Sequence, residues 1–312
     1  MNNNTLLVTF NTCGLGSPEN VDHYIKVIHQ LLSQNFNNYR VVLSSCCNSD
    51  KVRQTIQKEF GNTISYNFID DIVPVPVSFN DTVLESVKRW KKFDGYLYVE
   101  SGLDFEQNTT ILKELYDLMK SGPYSIISGR VDTDHGYIEN GINIQNNKDH
   151  TIIPVGKALN GHIHIFSNKI LQYYGQCWPS IFSGHCNESV MTFLCAALKT
   201  NWVLLTKSVI HHIEYLDKRS AGFDIPGWVA SGRPTWDHPF IIPSIVQRIC
   251  TQECWNAGLG YEEVKPIMMH RPDQFDENGF CINDKLREIC KTKLFLQPDE
   301  FDYDKINHTY IK

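Results

Sequence analysis

The residues of this chain best suited to chemistry include two carboxylates, Glu100 and Asp104, that follow a short apolar run. The run, Tyr96–Val99, contains only aromatic and aliphatic residues, as is typical of a strand buried on both faces of a mostly parallel sheet. Ligands of open α/β sheets bind at the carboxyl ends of the strands. The two acids are therefore placed to hold Mg²⁺ or Mn²⁺, which take oxygen ligands, although solvated loop acids would give the same pattern.

A third carboxylate and a pair of histidines occur further along the chain. Glu188 opens an apolar helical segment, where it can act as a general base toward an attacking hydroxyl or simply cap the helix. His211 and His212 follow a predicted core strand, where an imidazole is either a metal ligand or a buried, hydrogen-bonded side chain. The functional interpretation requires Glu100, Asp104, Glu188 and one of these histidines to line a single cavity.

Small polar residues end the first two predicted strands and are candidates for contacts with a nucleotide base or ribose. They are Thr9, Asn11, Thr12, Ser44 and Ser45. Each taken singly is also an ordinary turn former. The nearby sequence Gly14-Leu15-Gly16 lacks the third glycine of a dinucleotide-binding fingerprint, because position 19 is Glu19. That absence argues against a dehydrogenase.

Strand and helix patterns alternate through the first half of the chain. The predicted strands are Thr5–Phe10, Tyr39–Ser44, Thr63–Ile69 and Phe93–Phe105, and the predicted helices start at Val21, Asp50 and Asn80, with an extended connection at Pro74–Pro76. The alternation predicts an α/β fold with a doubly wound, mostly parallel central sheet flanked by helices. In such a sheet the loop after the first strand, the acids after Val99 and the segment at Glu188 converge on one edge.

The second half continues the pattern and then becomes irregular. Further elements are predicted at Asn108–Lys120, Tyr124–Ser128, Thr151–Val155, His162–Phe166, Asn168–Tyr174, Asn187–Lys199 and Trp202–Thr206. Beyond Glu214 the chain is rich in Gly, Pro and Trp, with one further helix predicted at Ile242–Cys254 and an irregular tail from Pro266. We predict one domain over 1–215, with a nucleotide-binding half (1–105) and an acceptor half (106–215), and a C-terminal extension over 216–312 that packs on it.

Composition limits the classes of partner. The 312 residues carry a net charge of -6, which argues against nucleic acid as the main partner because phosphate binding needs clustered Lys and Arg. No apolar run is long enough to span a membrane, and no signal peptide is evident at the N-terminus. The ten cysteines form no paired C-x-x-C units, which favours a reduced, cytoplasmic location. The oligomeric state stays open.

Over about residues 5–215 the chain resembles nucleotide-sugar glycosyltransferases of the GT-A fold, of the broad family-2 type. The resemblance lies in V-T-F-N-T-C at the end of the first strand, in L-S-S-C-C-N-S-D after the second, and in Phe79-Asn80 with its helix. The sequence E-S-G-L-D at 100–104 stands where that family has D-x-D. Asn160-Gly161, Asn187-Glu188 and His211-His212 follow in the family's order.

The resemblance implies a role for each matched residue. Asn80, Glu100, Ser101 and Gly102 would contact the donor, and Glu188 would be the catalytic base. Mn²⁺ or Mg²⁺ would be held by Glu100, Asp104, His211 and His212. The reaction would be inverting transfer of a sugar from a UDP- or GDP-sugar to a glycan or other hydroxyl acceptor in glycan biosynthesis.

Two alternative functions remain open at this point. One is a non-catalytic sugar- or nucleotide-binding module on the same scaffold, which the degenerate acidic motif makes plausible. The other is a nucleotidyltransferase, which should carry Lys or Arg in its phosphate loop, whereas residues 11–18 contain neither.

Overall fold

The computed structural model describes residues 5–13, 20–46, 48–70, 75–132, 148–155, 159, 162–180, 188, 191–213, 282, 284–292 and 294–295. The strands are β1 Leu6–Cys13, β2 Tyr39–Cys46, β3 Ser65–Ile69, β4 Gly95–Glu100, β5 Leu103–Asp104, β6 Tyr124–Val131, β7 His150–Ile152, β8 Ile163–Ser167 and β9 Asn201–His212. The helices are α1 Val21–Leu32, α2 Asp50–Phe60, α3 Val75–Trp90, α4 Ile111–Ser121, α5 Asn168–Tyr174, α6 Met191–Ala197 and α7 Asp284–Thr292.

The strands form one sheet in the order β3-β2-β1-β4-β8-β6-β9-β5, with β7 paired to β9. Strands β1 to β4 pair in parallel. Strand β8 is antiparallel to both β4 and β6, so β6 and its parallel partner β9 run in the direction of β4. Among the described residues, six of the nine strands therefore share one direction, which confirms the predicted mostly parallel α/β sheet.

Helices cover the sheet on both faces. Leu6, Val8 and Phe10 of β1 pack with α1, α2 and α4, whereas the intervening Leu7 packs with α3 on the opposite face. The α3 face also carries α5, α6 and α7. Because side chains alternate along a strand, β4 turns Tyr96, Tyr98 and Glu100 toward the α3 and α6 face.

The predicted strand Phe93–Phe105 is in fact two strands. Strand β4 ends at Glu100, whose backbone N–H donates to the carbonyl of His162 at 2.9 Å. After Ser101 and Gly102 the chain joins a different partner, because β5 pairs with the end of β9. The two carboxylates of the motif therefore belong to different strand pairs.

Two other predictions about the elements were wrong. Helix α3 begins at Val75, so Pro76 lies in its first turn instead of in an extended connection. Proline is tolerated there because the first helical N–H groups have no partner within the helix. The tail expected to be irregular contains α7, and the ring centroid of Phe295 beyond it lies 5.6 Å from that of Tyr174. The helix predicted at Ile242–Cys254 lies outside the described residues.

No helix in the described segments combines the length and the apolar character needed to cross a membrane.

Candidate active site and metal centre

Three potential metal ligands meet at the edge formed by the carboxyl ends of the parallel strands. Glu100 is the last residue of β4, and His212 is the last residue of β9. His162 precedes β8, and because β8 runs antiparallel, its beginning lies beside the end of β4. The direction of β8 brings His162 beside Glu100, and the pairing of β5 with the end of β9 brings His212 there, because Leu103 lies opposite His212.

The geometry of this group is compact. One ligand atom from each of Glu100, His162 and His212 can be chosen so that all three lie within 4.8 Å of one another. His162 Nδ1 contacts Glu100 Oε2, and the rings of His162 and His212 are 4.5 Å apart between centroids. A first-row divalent ion with bonds of about 2.1 Å joins ligand atoms up to about 4.2 Å apart, so small side-chain movements suffice. The donor set thus fits such an ion.

Electrostatics favour the metal-binding protonation states of Glu100 and of His212. Burial alone would raise the pKa of Glu100, but the contact with His162 and the charges of His162 and His212 lower it below its usual value. Burial and the neighbouring His162 lower the pKa of His212. Glu100 is therefore ionised and His212 neutral at pH 7, which are the forms required of metal ligands.

Glu188 lies close enough to Glu100 and His162 for their charges to act on its carboxyl. It lies three residues before α6 and is partly buried. Burial raises the pKa of its carboxyl to about 7, and Glu100 adds to this rise, whereas its own backbone and His162 oppose it. The charges of Glu100 and His162 thus reach Glu188. A carboxylate that titrates near neutral pH is suited to general base catalysis.

Asp104, a predicted metal ligand, has a different environment. Its carboxylate accepts hydrogen bonds from Lys26 Nζ at 2.9 Å, from Gln30 Nε2 at 2.7 Å and from the backbone N–H of Glu106 at 2.9 Å. Lys26 and Gln30 both lie on α1, which covers the sheet face opposite to α6. Burial opposes ionisation, but these hydrogen bonds lower the pKa of Asp104. Asp104 therefore lies outside the group of potential metal ligands, and His162 is its third member.

His211, also a predicted ligand, is not part of the group either. Its Nδ1 pairs with Asp132 Oδ2, and 63% of its side chain is exposed, whereas His212 is 2% exposed. Adjacent residues of a strand point to opposite faces, so only one of the two histidines can face Glu100. That histidine is His212.

The side chains of Asn80 and Thr9, both predicted to contact the nucleotide-sugar donor, form hydrogen bonds within the protein. Asn80 Nδ2 donates to the carbonyl of Trp178 at 2.8 Å and to Gln176 Oε1 at 3.1 Å. Its Oδ1 accepts from the backbone N–H groups of Cys177 and Trp178, both at 3.0 Å. Thr9 Oγ1 donates to the carbonyl of Leu97 at 3.0 Å. These contacts favour structural roles for both side chains.

The remaining donor-contact candidates lie in a polar network at the ends of β1 and β2. Asn48 Nδ2 donates to Thr12 Oγ1 at 2.8 Å and to Ser45 Oγ at 2.7 Å, and Ser44 Oγ accepts from Thr82. Asn11 lies directly opposite Glu100 in the β1–β4 register. Its Oδ1 is buried and accepts no hydrogen bond within the described part of the chain. The Nδ2 of Asn11 donates to the carbonyl and the hydroxyl of Thr9, so Asn11 lies beside Glu100 with its amide oxygen available to a ligand.

The backbone at Ser101 and Gly102, where the family motif would have its second acid, is also engaged. The carbonyl of Ser101 contacts His23 Nε2 at 2.7 Å, and the carbonyl of Gly102 accepts from the N–H of Ile213 at 2.9 Å. Both contacts use main-chain oxygens of the turn. The turn at the same time ties β4 to α1 and to β9.

Sequence reasoning missed His162 as a site residue. The signal was available, since His162 follows Asn160-Gly161 and opens a predicted strand. Its neighbourhood with Glu100 depends on β8 running antiparallel to β4, which periodicity does not reveal.

Comparison with known proteins shows the fold. No protein-family model and no curated protein sequence matches the chain. A mannosyltransferase from Pyrobaculum calidifontis, PcManGT, solved with GDP-Man and Mn²⁺, superposes with a TM-score of 0.51 at 10% identity, over 80% of this chain and 71% of that one. S. aureus TarS superposes with a TM-score of 0.50 at 11% identity, over 98% of this chain but 55% of that one. The fold is the GT-A fold of nucleotide-sugar glycosyltransferases.

Proposed function

We propose that the chain is a metal-dependent glycosyltransferase, which moves a sugar from a nucleoside diphosphate sugar to a hydroxyl acceptor. The observation that carries this proposal is the cluster of Glu100, His162 and His212, whose members Glu100 and His162 also influence the raised pKa of Glu188. A carboxylate that ionises near neutral pH beside a candidate metal centre is the arrangement that such a transfer needs. The GT-A fold supports the same assignment.

Glu100, His162 and His212 would hold the metal ion. When bound, a divalent ion supplies positive charge that stabilises the departing diphosphate. Two imidazoles and one carboxylate suit Mn²⁺ better than Mg²⁺, because Mg²⁺ favours oxygen ligands in near-ideal octahedral geometry. Of the two ions expected from the sequence, we therefore propose Mn²⁺. The PcManGT structure was solved with this ion.

Glu188 would act as the base in an inverting displacement. Its carboxylate takes the proton of the acceptor hydroxyl while the acceptor oxygen bonds to the anomeric carbon and the bond from that carbon to the diphosphate oxygen breaks. Such a displacement inverts the anomeric centre and needs a single base on the acceptor side. Because its pKa is about 7, the Glu188 carboxyl is ionised in about half of the molecules at neutral pH.

The donor nucleotide would bind along the ends of β1 and β2. Asn11 and the Thr12, Ser45 and Asn48 network provide amide and hydroxyl groups for a base or ribose. We propose UDP- and GDP-sugars as the donor classes and a glycan or other hydroxyl compound as the acceptor.

The substitution Glu188→Gln tests the proposal. A panel of UDP- and GDP-sugars with Mn²⁺ is first screened with the wild-type chain by thermal shift, because a ligand that binds only the native state raises the melting temperature. With the best donor, Glu188→Gln is expected to lower the transfer rate by about 100-fold or more while the donor Kd stays within about threefold. Glu85→Gln, which changes an exposed carboxylate on α3, serves as the matched control. Undiminished transfer by Glu188→Gln would reject the assignment.

One observation favours a second candidate, a nucleotide-sugar-binding module without transferase activity. The positions after Glu100 are Ser101 and Gly102, so the turn lacks the second acid of the family's motif. The module predicts donor binding with no transfer and no donor hydrolysis across the whole panel. Slow Mn²⁺-dependent hydrolysis of one donor would exclude it.

A further inference from the structure

Asp132 holds the segment that contains the two adjacent histidines. It is the first residue after β6, and its Oδ1 accepts the backbone N–H of His212 at 2.9 Å. Its Oδ2 pairs with His211 Nδ1, and its own N–H donates to the carbonyl of Ile210 at 3.0 Å. One aspartate thus contacts three consecutive residues of β9.

These contacts lie where β9 changes partners. Pairing with β6 reaches Val131 opposite Ile210, after a register shift between Gly129 and Arg130. The next residues, His211 and His212, pair with β5 on the other side. Where a strand changes its pairing partner, fewer ladder hydrogen bonds fix its register. The end of β9 could therefore shift by one residue relative to β6. Such a shift would move every side chain to the opposite face.

We propose that Asp132 is a positioning residue that selects His212 rather than His211 as the metal ligand. The bond from the His212 N–H sets the backbone, and the pair with His211 holds that imidazole outward, away from Glu100. The inference rests on the metal centre of the proposed function. Partners that orient a ligand typically contribute about 10- to 100-fold to metal affinity.

The test measures Mn²⁺ binding to the full chain, without donor, by titration followed by electron paramagnetic resonance. Asp132→Ala is expected to raise the Mn²⁺ Kd about 10-fold or more. Asp132→Asn keeps an oxygen for the His212 N–H and is expected to stay within about threefold of the wild type. His211→Ala, at an exposed position, removes only the outward contact and is expected to weaken binding by about threefold to 10-fold.

Asp94→Ala is the matched control for a purely structural effect. Asp94 accepts a hydrogen bond from Tyr116 at 2.8 Å and faces Lys120 at 3.5 Å, just before the start of β4 and so at the end of that strand opposite to Glu100. Its variant is expected to lose stability while its Mn²⁺ Kd is unchanged.

The outcomes separate the inference from the proposed function. If both Asp132→Ala and His211→Ala bind Mn²⁺ with the wild-type affinity, the inference is overturned and the metal centre is left intact. The same holds if Asp94→Ala loses as much Mn²⁺ affinity as Asp132→Ala. If Asp132→Ala does not fold, His211→Ala and Asp132→Asn decide: weakening in the first with retention in the second supports the inference. A wild-type chain that does not bind Mn²⁺ overturns the metal centre, and the inference with it.

Discussion

Glu100 and Asp104 are four residues apart and follow the same apolar run, yet they have opposite kinds of environment. The Glu100 carboxylate contacts His162 and lies near His212 and Glu188, all of which can gain or lose a proton. The Asp104 carboxylate receives three hydrogen bonds from α1 and from its own turn. A carboxylate whose acceptor sites are filled by fixed donors stabilises the fold, whereas one surrounded by other titratable groups is available for chemistry.

The cause of the difference is the change of strand partner between them. Strand alternation directs Glu100 toward α6, and the turn at Ser101 and Gly102 then moves the chain onto β9. Asp104 consequently meets α1 on the opposite face. The distance between two acids along the sequence therefore says little about whether they share a site when a turn separates them.

The largest expected effect comes from removing the Glu100 carboxylate. Glu100→Ala should weaken Mn²⁺ binding by about 100-fold or more, because it removes the only carboxylate of the proposed ligand set. Asp104→Ala should leave the Mn²⁺ Kd within about threefold. The Mn²⁺ Kd of both variants is measured by the same titration. An equal loss of affinity in the two variants would contradict the assignment of Glu100, and not Asp104, to the metal centre.

The pH dependence of transfer should report Glu188. Because the base must be ionised and its pKa is about 7, kcat/KM is expected to rise with pH and to level off above pH 8. Between pH 8 and pH 6 the rate should fall about 10-fold. A pH–rate profile measured at saturating Mn²⁺ checks this, and an inflection near pH 4.5 would contradict a raised pKa of the Glu188 base.

Asp104 should matter for stability instead. Asp104→Asn loses the charged pair with Lys26, and we expect a cost of about 1 to 2 kcal/mol in the free energy of unfolding at pH 7. Because the folded state lowers the pKa of Asp104, this contribution is present above the ordinary value of 3.8 and is lost as the pH falls below it. Urea denaturation at pH 7 and at pH 3 measures the difference. A gap that stays constant between the two pH values would contradict the assignment.

The contribution of Glu188 to stability should depend on pH in the opposite direction from that of Asp104. Its folded-state pKa is raised, so the unfolded chain loses its proton first and stability falls as the pH rises from about 4.5 to about 7. Glu188→Gln should therefore be more stable than the wild type at pH 8 by about 1 kcal/mol, after allowance for its partial exposure, and should equal it near pH 4.5. Thermal unfolding in EDTA across this range provides the test. A variant that is less stable at pH 8 would exclude the raised pKa.

Local signals predicted much of the fold. Helix α2 begins at the predicted residue, because Ser49 caps it by accepting from the Val52 N–H, and α5 has the predicted bounds, because Gly175 ends it in the left-handed conformation. The alternation of strands and helices was sufficient to predict a mostly parallel sheet flanked by helices. The part that could not be predicted concerns pairing between distant segments, namely the direction of β8 and the partner of β5.

The same division applies to the candidate site. Glu100, Glu188 and His212 could be named because each has an ionisable side chain at or near the end of a predicted apolar element. His162 opens a predicted strand, but its contact with Glu100, like the contacts of Asp132, comes from non-local strand pairing that the sequence does not reveal. The domain boundary at 215 stays a prediction, because residues 214–281 lie outside the described part of the chain.

The most direct test of the account is the number of imidazole nitrogens bound to Mn²⁺, measured by electron spin echo envelope modulation on the wild-type chain. We predict two bound imidazoles in the wild type and one in each of His162→Ala and His212→Ala, with no change in His211→Ala. Coordination by oxygen alone, or the loss of a nitrogen in His211→Ala only, would contradict the proposed Glu100, His162 and His212 centre.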